Sequence, residues 1–446
     1  MSSHLSDSVL FGHLWTTPEM HALFDDRGRT QGWLDVLVAL AEAQAEVGLL
    51  PAEAAAAIAA HADVDRLDLV SVGAGTRATG HSTLGLIQEL RRLLPESARE
   101  WVYYGATVQD VTDTWTARTM AAVLDILDRD VERCRRGALE LARTHRDTIM
   151  CGRTHGQPGL PITFGFKAAV WADELGRHSE RIAQARARVA VAQLGGALGT
   201  MEFWGNGAPE LLTAFARRTG LGTPDIAWIT ARDRVAEFAV LLALVTGTLG
   251  KIGNEIFELS RPELGEVAEP FTPGQVGSIT MPHKRNPELA EHLDTLARRV
   301  RLDAASCLEG MIALHERDGR SWKAEWLAVP EACQLTGAAL GFAARLLEGL
   351  QINAARMRAN LDARQSLLLS EPMMRVLADR IGKHEAHEAI YAAAMHTVEN
   401  DGDLARVVVE RGLLTEDQVC AATDPRAALG SATTFVDRVL AAGGPR

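Results

Sequence analysis

The segment from Pro262 to Pro287 carries the residues of this 446-residue chain that are best suited to chemistry. It ends in Gly277-Ser-Ile-Thr-Met-Pro-His-Lys-Arg-Asn-Pro287, which places a hydroxyl, a cation and an amide among small residues. A cation and preorganised hydrogen-bond donors stabilise a negative charge that develops during a reaction. A connection of this length inside a compact domain is typically a lid, a binding loop or disordered.

Helix capping explains only the end of this segment. Asn286 suits the N-cap of a following helix, Pro287 its first position and Glu288 its first turn. Capping does not explain Gly277, Ser278 or Lys284. These three residues therefore indicate a functional loop.

Three further polar, glycine-containing segments carry candidate residues. They are Gly105 to Asp110 with Thr107, Gly152 to Pro161 with Thr154 and His155, and a turn near Gly73 to Gly80 followed by His81. Histidine suits proton transfer because its unperturbed pKa lies near working pH. The alternative is that the histidines are structural and the threonines are helix caps.

A phosphate-binding loop is a second alternative for the residues before Ser82. Gly75-Thr-Arg-Ala-Thr-Gly-His-Ser82 resembles GxxxxGK[ST] and follows the largely apolar stretch Leu69 to Val72. His81 stands where that motif has its lysine, which removes the main phosphate contact and disfavours this interpretation.

Long helices must position these loops, because helical periodicity dominates the chain and strand alternation is hard to find. The pattern predicts short helices over Gly32 to Val47 and Leu84 to Leu93. It predicts long helices over Asp113 to Thr144, Phe164 to Val191, Arg232 to Leu259, Glu288 to Leu314 and Glu325 to Leu350. Five such helices imply a bundle, since mutual packing is needed to cover their apolar stripes. The predicted fold is all-α, with an N-terminal domain 1–104, a central long-helix bundle 105–350 and a C-terminal helical domain 351–446.

Composition excludes several classes of protein. The net charge of -12 argues against a generally basic nucleic-acid coat. Five scattered cysteines have no CxxC pair or metal-ligand spacing, so we expect no metal and a reducing, cytoplasmic location. We expect no signal peptide, because the first twenty residues carry neither a basic region nor a long apolar region. No uncharged apolar run approaches the length of about 18 residues that spans a membrane.

Three of these segments, those that contain Ser278, Thr107 and His155, together resemble motifs of the fumarase/aspartase superfamily. Gly277 to Pro287 is similar to the GSSxMPxKxNP signature, and its PHKRNP part to the adenylosuccinate lyase and 3-carboxy-cis,cis-muconate cycloisomerase branch. Tyr104-Gly-Ala-Thr-Val-Gln-Asp-Val-Thr-Asp-Thr114 resembles GATSQDxxDT, and Gly152-Arg-Thr-His-Gly-Gln-Pro158 resembles RTHGQP. The resemblance implies a three-domain, all-helical subunit in a homotetramer whose active sites are shared between subunits. Loops at the ends of helices about 35 Å long could hardly all meet within one bundle, which fits shared sites.

The resemblance also implies a reaction and a role for each candidate residue. Family members eliminate a group beta to a carboxylate, commonly releasing fumarate from a substituted succinate, with no cofactor. By position, Ser278 matches the base, His155 the acid that protonates the leaving group, and Glu291 the carboxylate that orients the histidine. The remaining matches are to substrate-binding residues, namely Lys284, Asn286, Thr107, Thr154 and His81. For Glu291 the alternative is a solvated glutamate in the first turn of a helix.

Departures from the family pattern narrow the predicted substrate. Val108 and Ile279 replace serines, Ile229 and Ala231 replace a polar pair, and Trp322 and Trp326 stand where adenylosuccinate lyases hold the nucleotide. Core packing on one helix face also explains the two tryptophans. We therefore expect a lyase that cleaves a carbon–nitrogen bond in a compact N-substituted or nitro-substituted succinate or aspartate. The alternatives are a 3-carboxy-cis,cis-muconate cycloisomerase, an adenylosuccinate lyase and a noncatalytic helical scaffold.

Overall fold

The computed structural model describes residues 4–271, 274, 276–281, 283–363, 365–400 and 402–443, and α-helices form most of them. The shorter helices before the centre of the chain are α1 Pro18–Phe24, α2 Asp26–Glu46, α3 Ala52–His61, α4 Leu69–Thr79, α5 Leu84–Leu93 and α6 Glu96–Arg99. The central region contains α7 Val108–Thr144, α8 Phe164–Val189, α9 Ala208–Thr219, α10 Asp233–Ser260, α11 Glu288–Glu309 and α12 Gly319–Gly349. The C-terminal helices are α13 Ala354–Asp362, α14 Gln365–Leu368, α15 Ser370–Ile381, α16 Lys383–Glu399, α17 Leu404–Glu410, α18 Glu416–Ala422 and α19 Ala432–Ala442. The predicted all-α fold is confirmed.

Four short strands accompany the helices in the described part of the chain. They are β1 Ile149–Thr154, β2 Gln157–Thr163, β3 Val267–Ala268 and β4 Gln351–Ile352. β1 pairs with β2 in one antiparallel sheet, and β3 pairs with β4 in another. The sequence indicated a loop from Gly152 to Pro161, and the β1–β2 hairpin corrects that interpretation.

The five predicted long helices are present, with shifted ends. α7 starts at Val108, five residues before its predicted start, and α12 starts at Gly319 and contains Pro330. α11 ends at Glu309, five residues before its predicted end. Shifts of this kind arise because caps and turns, which periodicity does not report, decide where a helix ends.

Helix α4 corrects the turn predicted near Gly73 to Gly80. Gly75 of this segment serves close packing of α4 against α5 rather than a turn. A Cβ atom on Gly75 would lie 2.9 Å from the Cα of Gly85, and one on Gly85 would lie 2.3 Å from the Val72 carbonyl oxygen. Only Gly80, in the left-handed region with φ 66°, ends the helix.

The chain divides into two compact units, each assembled from separate segments. The first unit comprises the described residues of 1–131 with His178–Leu249 and Thr295–Gly341. Its core contains fully buried side chains such as Leu124, Phe238 and Leu242. The second unit comprises Glu132–Arg177 and the described residues of 250–294 and 342–446. One of its cores joins Met373, Leu377, Ile390, Leu404 and Val408. The three-domain division at 104 and 350 stays a prediction.

Two helices, α10 and α12, are long and apolar enough to cross a membrane by length and composition alone. In their most apolar windows, 67% and 78% of the residues are buried inside the protein. Burial of this extent is typical of the core helices of a folded protein.

Candidate active site

A hydrogen bond within the loop holds Ser278, the candidate base, in place. The Ser278 Oγ accepts a hydrogen bond from the Met281 backbone N–H at 3.0 Å. A donor to this oxygen also stabilises it when it carries negative charge. Ser278 is partly exposed, so its hydroxyl is accessible. Four residues of the predicted loop, Thr272, Pro273, Gln275 and Pro282, lie outside the described residues.

Asn286 closes the base of this loop instead of capping a helix. Its Nδ2 donates to the Gly277 carbonyl oxygen at 2.8 Å. A Cβ atom on Gly277 would lie 2.3 Å from the Lys284 carbonyl oxygen, so only glycine fits this crossing. The capping interpretation of Asn286 is therefore replaced by a role in fixing the loop, and the Lys284 side chain next to it is exposed.

Glu269 caps helix α11 from outside the helix. Its two carboxylate oxygens accept the N–H groups of Leu289 at 3.0 Å and Ala290 at 2.8 Å. Burial raises the pKa of Glu269, against the effect of these two donors. Glu291 follows in the first turn of the helix with an exposed side chain. No local pattern in the sequence predicts this role of Glu269, because it lies 20 and 21 residues before the two amides that it caps.

A tight hairpin turn presents Thr154 and His155. His155 and Gly156 have φ values of 53° and 74°, and Thr154 pairs with Gln157 across the turn. A left-handed backbone at a non-glycine residue is uncommon, and such residues concentrate at functional sites. Thr154, His155 and Gly156 are all exposed. Thr154 ends a strand, so the helix-cap alternative does not apply to it.

No hydrogen bond or ion pair joins His155 to Glu291 in the described part of the chain. Both side chains lie in the second unit and both are exposed. The orienting role of Glu291 stays a prediction, which shared sites would accommodate if another subunit supplied the glutamate.

A buried ion pair anchors the strand that precedes His155. Arg153 donates to both carboxylate oxygens of Glu266, at 2.9 and 2.6 Å, and the Glu266 side chain is 0% exposed. Asn360 adds a third donor to the same carboxylate at 2.8 Å. The sequence did not identify Glu266, which lies 113 residues from its partner.

A buried aspartate organises the first turn of α7 around Thr107. The Asp110 carboxylate accepts backbone N–H groups from Thr107 at 2.9 Å, Gly195 at 2.8 Å and Gly196 at 3.0 Å, and the Gln193 amide at 3.3 Å. Burial raises the pKa of Asp110 to about 6, although each of these donors lowers it. The aspartate thus fixes the Thr107 turn against the loop that begins at Gly195.

His81 lies just after α4, where its Nδ1 is 3.5 Å from the Thr83 hydroxyl. Its side chain is exposed, whereas Thr83 is buried. The residues from Gly75 to Thr79 are helical. They therefore do not form the loop that cradles a phosphate, and the phosphate-loop alternative is wrong.

Ile229 and Trp322, two of the residues that depart from the family pattern, belong to a buried network in the first unit. Arg232 pairs with Asp113 at 2.8 Å and with Glu325, and the three side chains are at most 5% exposed. The Trp322 indole N–H donates to Asp113 at 3.1 Å, and the Ile229 side chain is buried. Both residues therefore have a core role, as packing predicted for the tryptophan.

The structure groups the candidate residues by unit. Thr107 and His81 lie in the first unit, and Thr154, His155, Ser278, Lys284, Asn286 and Glu291 lie in the second. Among the residues that the structure describes, no three histidine, cysteine or acidic side chains form a group that could hold a metal ion.

Comparison with known proteins identifies the family. Residues 14–302 match a family model described as Lyase, and residues 366–439 match one described as Adenylosuccinate lyase C-terminus. The chain is 41% identical over 444 residues to an N-acetyl-S-(2-succino)cysteine lyase of Dickeya dadantii, covering 99% of this chain and 98% of the relative. A lyase of the same name from Enterococcus italicus is 37% identical over 446 residues, with 99% and 98% covered.

A solved structure agrees with these relatives. The 3-carboxy-cis,cis-muconate lactonizing enzyme of Pseudomonas putida superposes with a TM-score of 0.91 at 36% identity, covering 98% of this chain and 99% of that one. The noncatalytic scaffold is therefore excluded. The chain is an enzyme that belongs to the fumarase/aspartase superfamily of lyases.

Proposed function

We propose that this enzyme cleaves the carbon–sulfur bond of an S-succinylated thiol, N-acetyl-S-(2-succino)cysteine, and releases fumarate and N-acetylcysteine. The observation that carries the proposal is the 41% identity to a lyase of that name over nearly the whole of both chains. The expected carbon–nitrogen cleavage finds no support in these relatives, whose name specifies a sulfur-linked succinyl group.

The proposed reaction begins with removal of a proton from C3 of the succinyl group. Ser278 takes this proton as the base, and the electron pair forms the C2–C3 double bond as the C2–S bond breaks. The thiolate leaves with the second electron pair and becomes the thiol after protonation. Negative charge develops at C3 beside a carboxylate that is already negative, so the Lys284 cation and the loop amides lower the barrier by stabilising that charge.

The leaving group determines how much His155 contributes. A thiol has a pKa near 8.5, so it leaves as a thiolate far more readily than an amine leaves unprotonated. His155 therefore assists departure of the sulfur and completes the thiol, rather than making departure possible. Glu291 is the proposed partner that orients the histidine.

Hydroxyl groups and a cation are proposed to hold the dicarboxylate. Thr107 and Thr154 bind the carboxylates by donation from their hydroxyls, and the Lys284 cation, Asn286 and His81 complete the substrate-binding set. Ile279 is 95% exposed directly after Ser278, so it provides an apolar surface where family members have a serine. An apolar neighbour suits a thioether better than a nucleotide.

We also propose a cytoplasmic homotetramer with shared active sites. None of the five cysteines forms a disulfide, and four are buried, as a reducing compartment allows. Sedimentation of the purified enzyme tests the assembly.

A substrate panel tests the reaction. Fumarate release is followed by ultraviolet absorbance with N-acetyl-S-(2-succino)cysteine, adenylosuccinate, an N-succinylated amino acid and nitrosuccinate. We expect fumarate from the thioether at the highest kcat/KM, and a preference for any other compound would overturn the proposal. Ser278→Ala should abolish turnover with the assembly intact, and an active variant would refute the role of Ser278 as base.

A second candidate is 3-carboxy-cis,cis-muconate cycloisomerase activity. The observation that favours it is the TM-score of 0.91 to the Pseudomonas putida lactonizing enzyme. Lactone formation from 3-carboxy-cis,cis-muconate, measured in the same panel, separates the two candidates.

A further inference from the structure

One face of helix α13 holds the segment that leads into the Ser278 loop. The Arg356 guanidinium donates to the carbonyl oxygens of Glu263 and Leu264, both at 2.9 Å. The Asn360 amide donates to the same Leu264 oxygen at 2.9 Å. Residues four apart lie on the same side of a helix, so Arg356 and Asn360 act together on this turn.

Glu266 joins this segment to three other elements. Its backbone N–H donates to the Leu259 carbonyl oxygen near the end of α10, and its carbonyl oxygen accepts the Asn353 N–H just before α13, both at 2.9 Å. Its carboxylate accepts hydrogen bonds from Arg153 of β1 and Asn360 of α13. Each polar group of this fully buried residue therefore has a partner, which fixes the residue in place.

The Asn360 amide adds a contact that the buried ion pair alone does not provide. The Glu266 Oε1 accepts from Arg153 at 2.6 Å and from Asn360 at 2.8 Å, and Oε2 accepts from Arg153 at 2.9 Å. A bidentate pair is planar, so its two side chains can tilt together without breaking either hydrogen bond. The hydrogen bond from a separate helix opposes this tilt. Helix α13 thus holds the Arg153 side chain, and with it the strand that ends at Thr154.

We propose that Asn360 is a positioning residue for His155. It acts through Glu266 and Arg153, and the arginine lies two residues before the histidine. His155 is exposed in a tight turn with φ 53°, where it depends on the strand for its position. A group that transfers a proton must lie within hydrogen-bond reach, so a small displacement lowers the rate. This inference rests on the proposed function, in which His155 protonates the departing thiolate.

The test compares Asn360→Leu with Asn400→Leu in the full-length enzyme. Both changes replace an amide by an apolar group of similar shape, and both remove a 2.9 Å hydrogen bond to a backbone carbonyl oxygen, that of Leu264 or His396. Asn360 in addition donates to the buried Glu266 carboxylate, whereas Asn400 is exposed. We expect Asn360→Leu to lower kcat/KM about tenfold, as for a displacement well below 1 Å, and Asn400→Leu to leave it unchanged.

A series of S-succinylated thiols shows whether the loss acts through His155. An acid assists most when the departing thiolate is most basic, so the loss in Asn360→Leu should grow with the pKa of the thiol. When Asn360→Leu is added to His155→Gln, kcat/KM should stay at the value of His155→Gln alone. An equal loss for every thiol, which displacement of Thr154 alone would cause, would overturn the proposal. Multiplication of the two losses in the double variant would overturn it as well.

Two further variants at the same position test the role of the amide. Asn360→Gln keeps the donor on a side chain that is longer by one methylene group, so it should retain more activity than Asn360→Leu. Equal losses in these two variants would contradict a role for the hydrogen bond. If Asn360→Leu folds poorly, Asn360→Ala removes the amide without adding an apolar group, and the same expectations apply to it.

Crystal structures separate failure of this proposal from failure of the proposed function. If the unmodified enzyme cleaves no succinylated thiol, the proposed reaction is wrong, and the structures of the unmodified enzyme and Asn360→Leu then test Asn360 alone. We expect the His155 Cα atom to move by about 0.5 Å or more in Asn360→Leu, and an unmoved turn would overturn the positioning role. If the unmodified enzyme is active and Asn360→Leu matches it, only the positioning role fails.

Discussion

The buried ion pair beside His155 predicts a large, position-specific loss of stability. In Glu266→Gln the shape is kept, and the new amide oxygen can still accept from Asn360. The amide nitrogen must then take the place of Oε2 and face the Arg153 Nη1, so a donor meets a donor where the structure has a 2.9 Å hydrogen bond. The Arg153 charge, with a side chain 17% exposed, loses its counterion. Removing one partner of a buried pair costs about 3–5 kcal/mol.

Arg133 and Glu348 provide a matched control in the same unit. Their pairing is also bidentate, with both hydrogen bonds at 2.7 Å, but the side chains are 47% and 43% exposed. An exposed pair contributes up to about 1 kcal/mol, because water solvates the charges when the pair is broken. Glu348→Gln therefore makes the same chemical change at a site where it costs little.

Thermal melting of the purified Glu266→Gln and Glu348→Gln variants measures the difference in stability between breaking the buried pair and breaking the exposed pair. One kcal/mol lowers the melting temperature by about 2–4 °C in a domain of roughly 150–250 residues, so we expect a loss of roughly 6–20 °C for Glu266→Gln. The expected loss for Glu348→Gln is at most about 4 °C. Equal losses would refute the argument that burial sets the strength of the pair. Because Arg153 precedes Thr154 and His155, kcat/KM should fall in Glu266→Gln only.

Three further changes test other parts of the structure. Burial and the neighbouring Glu331 raise the pKa of Asp303 from 3.8 to about 7, so native stability falls by about 4 kcal/mol as the pH rises through that range. Asp303→Asn lacks this titration, so its melting temperature in calorimetry, relative to that of the unmodified enzyme, should rise between pH 5 and pH 9. A difference between the two melting temperatures that does not change with pH would contradict this. Gly277→Ala places a Cβ atom 2.3 Å from the Lys284 carbonyl oxygen and should abolish fumarate release with little change in melting temperature; retained activity would show that the loop tolerates displacement. His155→Gln should lose more activity as the pKa of the departing thiol rises across a series of S-succinylated thiols, whereas a uniform loss would remove its role as acid.

Local patterns in the sequence predicted the long helices but not the contacts between distant residues. Apolar periodicity placed α8 and α10 to within two residues at each end, because burial of one helix face imposes that period. The same reasoning missed α4, where Gly75 is explained by its close approach to Gly85 in α5. A glycine chosen for packing is indistinguishable in sequence from one chosen for a turn.

In the candidate site, too, residues within a short segment could be predicted from the sequence, whereas contacts between distant residues could not. The motifs identified Ser278, Lys284 and His155 as residues of interest, because each stands within a short contiguous segment. The groups that hold these segments are distant in sequence, as with Glu266 for the His155 hairpin and Glu269 for the start of α11. Neither glutamate stands in a recognisable pattern. The motifs also could not predict the leaving group. The segments shared by the family serve proton removal, and this step is common to carbon–nitrogen and carbon–sulfur cleavage.

The overall negative charge of the chain is compatible with an anionic substrate because electrostatic effects are local. At physiological ionic strength a charge is screened over about 8 Å, so the net charge of -12 matters less at the site than the nearest cation. Lys167 and Lys251 are already paired, with Glu255 and Glu174. Lys284 is exposed and has no carboxylate partner among the described residues. Lys323 and Lys383 are likewise exposed without such a partner, but Lys284 also stands in the loop of Ser278. A lysine without a carboxylate partner can bind an incoming carboxylate without first breaking an ion pair, and this combination is why we propose Lys284 for the dicarboxylate.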